Sequence, residues 1–213
     1  MKDVIQRVIE KEGTWESHVQ ELLKKHISKN DVCIDIGSHW GIHTRLMSKL
    51  AKLVFSFEAD IGNYKIQREA IKNCNNVVLV NIGISDKTEI VEWGWEVPGN
   101  SGSKGLSNNP MGNYTYGIKK EGTALCKSLD ELDIKEKIKL IKIDVEGYES
   151  KVIRGAKELI LKNKPIILLE SWSDHNGGVD VKELEKNIEP ILSHYSYKLI
   201  KEGEVDWLLT PKK

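Results

Sequence analysis

Two runs decide the fold: Val32-Cys-Ile-Asp-Ile-Gly-Ser-His-Trp-Gly-Ile-His-Thr44, then Leu53-Val-Phe-Ser-Phe-Glu-Ala-Asp60. Val32 to Ile36 is a short apolar strand. Gly37 and Gly41 bound a tight turn, and Ile42 to Leu50 continues as a helix. Leu53 to Phe57 is a second apolar strand with Glu58 at its end. This is how an open α/β sheet cradles a nucleotide-like ligand at its carboxyl edge. Glycines let backbone approach the ligand, the helix N-terminus offers free N–H groups, and the acid bonds ribose hydroxyls.

The turn narrows the choice of ligand. Dinucleotide sites carry Gly-x-Gly-x-x-Gly, whereas here His39 stands where a middle glycine would be, which disfavours NAD. A Walker A lysine motif is absent. Asp35, just ahead of Gly37, suits a ligand with an ammonium group, and S-adenosylmethionine has one together with a carboxylate and a ribose. A tight strand-to-helix turn with no ligand is the alternative.

A second motif lies downstream: Leu140-Ile-Lys-Ile-Asp-Val-Glu-Gly-Tyr-Glu149, continuing through Val152, Gly155 and Ala156. Together with the first turn, and with Ser128-Leu-Asp-Glu-Leu132 between them, it resembles the FkbM-type family of S-adenosylmethionine-dependent methyltransferases. The resemblance covers about residues 30 to 172. Two positions depart from the family pattern. His39-Trp40 stands where small or Asn-containing pairs are usual, and Ala59 stands where proline is usual. The resemblance implies a Rossmann-like class I methyltransferase: a mostly parallel sheet, helices on both faces and a C-terminal antiparallel hairpin. It also implies cofactor contacts from Asp35, Gly37, Ser38, His39, Gly41, Glu58, Ala59, Ser85 and Asp144.

Composition limits the partners. Thirty-two Lys plus Arg balance 32 Asp plus Glu in 213 residues, so the basic footprint that nucleic acid requires is missing. The length fits one α/β domain over 1–213. No apolar run reaches the length of a membrane span, and charged residues rather than an apolar stretch follow Met1-Lys-Asp-Val. Cys33, Cys74 and Cys126 are widely spaced and form neither a metal pattern nor an even disulfide framework. Free thiols and a cytoplasmic location are expected. Oligomeric state is not legible.

Residues 1–29 read as helical, interrupted at Gly13, either packed on the sheet or covering the pocket. A helix over about 61–73 and a strand over 76–81 follow. Gly83-Ile-Ser85-Asp86 then falls at the same carboxyl edge, as an adenine border or a plain turn. Thr88–Trp95 and Gly122–Ser128 read as the arms of a hairpin. Between them, 96–120 is long, amide-rich and flanked by aromatics, which suits either an acceptor-binding lid or a loop with aromatic anchors. A short helical connection over 129–137 leads to the strand Ile138–Ile143, a helix through Ile160, a strand ending at Glu170 and a polar loop containing His175. A helix ending near Leu192 and a terminal hairpin complete the pattern.

Asp144, Glu146, Glu170 and His175 all fall at or beyond strand carboxyl ends. Methyl transfer from a sulfonium needs alignment of the acceptor and, for a hydroxyl, removal of its proton. Asp144 is the candidate base, with Glu170 or His175 as partner. Glu146 belongs either to the site or to its own turn, and both acids also suit helix capping. Asp144 and Glu146 could hold a divalent cation, although the spacing matches no metal motif. The expected activity is O-methylation of a hydroxyl, first of a sugar in a glycan. Another small metabolite, or a nucleotide-binding module without catalysis, is the alternative.

Overall fold

The computed structural model describes residues 3–95, 101–103, 105–106, 119–170, 191–200 and 206–212. Two helices open it, α1 (Val4–Glu12) and α2 (Ser17–His26), with Gly13 between them at φ +76°. The Asp3 carboxylate caps α1 by accepting the Ile5 amide. Then come β1 (Val32–Ile36), α3 (Ile42–Leu50), β2 (Leu53–Phe57), α4 (Ile61–Ala70) and β3 (Val77–Val80). A short β4 (Gly83–Ile84) precedes β5 (Glu89–Trp95), β6 (Gly105–Leu106) and β7 (Lys119–Lys127). The chain continues through β8 (Ile138–Ile143), α5 (Glu149–Gly155), α6 (Lys157–Asn163) and β9 (Ile166–Glu170). It closes with β10 (Tyr195–Leu199) and β11 (Asp206–Pro211).

Seven strands form the main sheet in the order β10-β11-β9-β8-β1-β2-β3. Its five central and outer strands run parallel from β9 to β3, while β11 pairs antiparallel with both β9 and β10. Parallel strands buried on both faces read as continuous apolar runs, which is why Val32–Ile36 showed no alternation. Successive residues nevertheless serve different layers. Cys33, Leu140 and Leu168 pack with Val19, Leu23 and Met47 of α2 and α3. Ile34, Ile141 and Ile167 pack with Val152, Ile153 and Ile160 of α5 and α6. Helices therefore cover both faces.

A second sheet, β4-β7-β5-β6, was not foreseen beyond its β5–β7 hairpin, because β4 and β6 are only two residues long. The helix expected to run from Tyr148 through Ile160 is in fact two, broken at Ala156. Gly155 is pressed so close to the Ser85 carbonyl that a Cβ there would lie 1.9 Å from its oxygen. The connection over 129–137 carries a single 3-10 turn, Asp130–Leu132. Most of the helix expected before Leu192 lies outside the described residues. Its end, Ile191 and Leu192, is buried in the α5–α6 layer.

Candidate active site

Strand order reverses at β1, whose neighbours β2 and β8 leave it in opposite directions. Loops leaving adjacent strands diverge there and open a crevice at the carboxyl edge. The backbone stays tied as it leaves the sheet: Gly37 and Ser38 donate to the Phe57 carbonyl, and Asp144 donates to Ile36. A cavity of about 440 Å³ fills the crevice, a size typical of small-ligand sites.

One end of the cavity is built by the first turn and the end of β2. Gly37 adopts φ +75°, and a Cβ on it would meet the Asp144 carbonyl at 1.6 Å, so only glycine fits. His39 also takes a left-handed conformation, φ +51°, which histidine and asparagine tolerate better than most residues. This accounts for the Asn-containing pairs usual at that position. The bend aims the His39 amide at Glu58, whose Oε2 accepts it at 2.7 Å; Oε1 accepts the Asp60 amide at 2.8 Å. Burial pushes the Glu58 carboxyl up to about 7 despite these two donors. Phe57, Ala59, Ile82 and Ile84 give this end apolar walls, and Trp40, stacked on His39, donates to Asn63 at 3.1 Å.

Three expected cofactor contacts, Asp35, Gly41 and Ser85, are not among the residues that line the cavity. Asp35 is fully buried, and its Oδ2 accepts the Thr44 hydroxyl at 2.5 Å. Gln67 joins this network by donating to Thr44 and Ser56 and accepting from Ser38. A Cβ on Gly41 would strike the Gln67 side chain at 2.6 Å. Ser85 donates to Glu89 at 3.0 Å, while its neighbours Gly83 and Ile84 line the cavity. Gly37, Ser38, His39, Glu58, Ala59 and Asp144 all line it.

The other end is a cluster of ionisable groups. Lys142, buried in β8, donates to Asp144 Oδ2 at 2.7 Å. Burial pushes the Asp144 carboxyl up, but the Lys142 ammonium and hydrogen bonds from Glu170 and Lys142 outweigh this and hold it below the usual range. Glu170 moves the other way: burial, then the Asp144 charge, drive it well above that range. The two carboxyls therefore titrate as a coupled pair, with Asp144 the one biased toward its ionised form. Two His–carboxylate pairs complete the cluster, His43 Nε2 to Glu16 Oε2 and His18 Nε2 to Asp206 Oδ2, each at 2.7 Å. His43 is thus buried and partnered rather than exposed on its helix.

Glu146 lines the cavity in a left-handed conformation, φ +51°. It is Glu149 that accepts the Gly147 amide of this turn, at 2.9 Å. Among the described residues no group of three His, Cys, Asp or Glu side chains is arranged to hold a metal ion. His175 and most of 96–120 lie outside the described residues. Ser101 is described and lines the cavity, where its hydroxyl meets His39 Nε2 at 2.8 Å and its amide donates to Asp3 at 2.7 Å.

Glu16, His18, Lys142 and Asp206 were missed because they come from the N-terminal helices, mid-strand and the final hairpin. Only Lys142 left a signal, a lysine between Ile141 and Ile143 near the carboxyl end of a doubly covered strand.

The model of the methyltransferase FkbM domain matches residues 35–199. The chain belongs to the FkbM methyltransferase family. The match begins on β1 and ends on β10, so the FkbM domain takes in both the turn and the Lys142–Asp144 strand. Hexuronic acid methyltransferase AglP of Haloferax volcanii is 25% identical over 178 residues, 80% of this chain and 66% of its own length. The FkbM methyltransferase structure from Methylobacillus flagellatus superimposes with a TM-score of 0.61 at 16% identity, over 86% of this chain and 44% of that one. A Streptococcus mutans protein solved with SAH gives 0.54 at 15% identity, over 91% and 94%. The chain thus spans just under two thirds of AglP and less than half of the M. flagellatus protein.

Proposed function

We propose that this FkbM-family chain is an S-adenosylmethionine-dependent O-methyltransferase whose acceptor is a hydroxyl, first of a sugar in a glycan. The observation that carries the reading is Glu58. It is a buried carboxylate at the end of β2, fixed by two amides, lining a cavity with apolar walls beside it. That donor set fits a nucleoside: carboxylate oxygens for a ribose diol, and apolar walls for a purine. Among the described lining residues, acidic side chains outnumber the single lysine, Lys142, a balance suited to a sulfonium cation.

When bound, the cofactor would supply an activated methyl group. The chain aligns the acceptor against it, and alignment is worth on the order of 7–11 kcal/mol in good cases. Asp144, held ionised by Lys142 and Glu170, accepts a hydrogen bond from the acceptor hydroxyl and orients it. Glu170, raised by burial and by the Asp144 charge, supports Asp144 through their hydrogen bond.

Residues 1–213 would act as one catalytic unit, since α1 and α2 supply cavity wall as well as cover. AglP, whose name gives a hexuronic acid as substrate, supports a sugar acceptor. Zero net charge supports a glycan over nucleic acid. Three free cysteines, two of them buried, support a reducing, cytoplasmic setting. Among the described residues no helix is long and apolar enough to cross a membrane.

The test is incubation with methyl-labelled S-adenosylmethionine and a panel of methyl glycosides that includes a glucoside and a glucuronide. Alkali-stable label on a sugar is the expected result. Label released by mild alkali would mark a carboxyl ester and overturn the hydroxyl assignment; no labelling of any glycoside would overturn the sugar.

A further inference from the structure

The proton of the acceptor hydroxyl needs a destination. Asp144 is a poor one, because Lys142 and Glu170 already stabilise its ionised form and so weaken it as a base. His43 is another poor one: Nε2 is engaged by Glu16, and Nδ1 is buried with no partner. His18 differs. Its Nε2 faces Asp206 at 2.7 Å, and among the described residues its Nδ1 has no hydrogen-bond partner and is not among the buried unpaired atoms. Both residues line the cavity.

Sheet register puts this pair next to the reacting groups. Asp206 lies directly across from Glu170 on the β9–β11 ladder, so their side chains share one face. Glu170 in turn bonds Asp144. His18, Asp206, Glu170 and Asp144 are thus successive neighbours among the residues that line the cavity.

We propose that His18 is the general base of this site and that Asp206 is its positioning residue. The proposal rests on the O-methyl transfer reading above. A carboxylate that accepts the Nε2–H fixes the tautomer and leaves the Nδ1 lone pair of this cavity-lining residue able to take a proton. As the acceptor oxygen bonds the methyl carbon, the carbon–sulfur bond of the sulfonium donor breaks. Sulfur keeps that electron pair as a neutral thioether. The hydroxyl proton passes to His18 Nδ1, and the imidazolium formed is paired with Asp206 until it releases the proton to water. A carboxylate acceptor would need no such base, so the dyad also favours a hydroxyl.

The experiment uses the full chain, labelled with nitrogen-15 and saturated with S-adenosylhomocysteine. A long-range nitrogen–proton spectrum, with His18→Gln assigning the signal, reports which ring nitrogen carries the proton. Protonated Nε2 and bare Nδ1 are expected, with the population shifting in Asp206→Asn; a proton on Nδ1 in the unaltered chain overturns the proposal. On the labelled-methyl panel, His18→Gln should lose about 10²–10⁴-fold in turnover, the usual worth of a general base, while keeping affinity for S-adenosylhomocysteine. Full turnover in that variant also overturns it. If S-adenosylhomocysteine fails to bind the unaltered chain, the cofactor reading fails instead, and the tautomer still reports on the dyad.

Discussion

The His39 amide points its hydrogen at Glu58 Oε2 across 2.7 Å, joining the first turn to the acid that ends the next strand. That one bond ties the turn to the cavity wall, because His39 takes its left-handed conformation and Glu58 is fixed where it lines the cavity. Glu58→Ala removes the lock and, on the reading proposed above, the acceptor for a ribose diol. Hydrogen bonds to charged groups are worth about 1.5–3 kcal/mol, so affinity for S-adenosylhomocysteine should fall about tenfold to a hundredfold. Calorimetry would read this directly, and unchanged affinity would remove Glu58 from the site.

Affinity should also depend on pH. Burial raises the Glu58 carboxyl to about 7, so below that the group is protonated. A ribose diol that donates to it favours the ionised form, and binding expels the proton. Affinity for S-adenosylhomocysteine should therefore rise between pH 6 and 8, and Glu58→Gln should flatten the profile.

Stability should move the opposite way. Glu58 and Glu149 are both raised by burial, each to about 7, from an ordinary 4.5. Between those values the unfolded chain has given up protons that the folded chain retains, so stability is lost as pH rises through this window. Glu149 does not line the cavity. Glu149→Gln should reduce the fall in melting temperature between pH 4.5 and 7 while leaving nucleoside affinity alone.

Gly155→Ala tests the break between α5 and α6. A Cβ there would sit 1.9 Å from the Ser85 oxygen, and backbone cannot yield as a flexible side chain would. A loss of about 3 kcal/mol or more is expected, at the upper end for overpacking, read as a lowered urea midpoint.

Asp144→Asn leaves the Lys142 ammonium buried without its counter-charge. Breaking such a pair costs about 3–5 kcal/mol, so the variant should be less stable as well as impaired in turnover, with nucleoside binding largely kept. A variant with native melting temperature and full turnover would show that the pair carries neither role.

Much of the fold was legible because parallel strands covered on both faces must be continuous apolar runs, and Val32–Ile36, Ile138–Ile143 and Ile166–Glu170 are close to that. The first turn and the acid beside it were legible for the same local reason, since Gly37 and Glu58 follow adjacent strand ends. The ionisable end was not. His18 meets Asp206 across 188 positions of chain, and no periodicity encodes that meeting. Asp35, Gly41 and Ser85 were read as cofactor contacts from their motifs, while the contacts that tie them into the fold, Asp35 with Thr44, Gly41 against Gln67 and Ser85 with Glu89, carry no local sequence signal. Gly155 fitted its helix by pattern, while the pressure on it comes from the Ser85 carbonyl, 70 residues earlier in the chain.

The central claim is that this crevice holds the S-adenosyl nucleoside. Calorimetric titration of the purified chain with S-adenosylhomocysteine, with NADH run in parallel, tests it most directly. Micromolar binding of S-adenosylhomocysteine and none of NADH is predicted. Binding of NADH in its place, or of neither, would contradict the account.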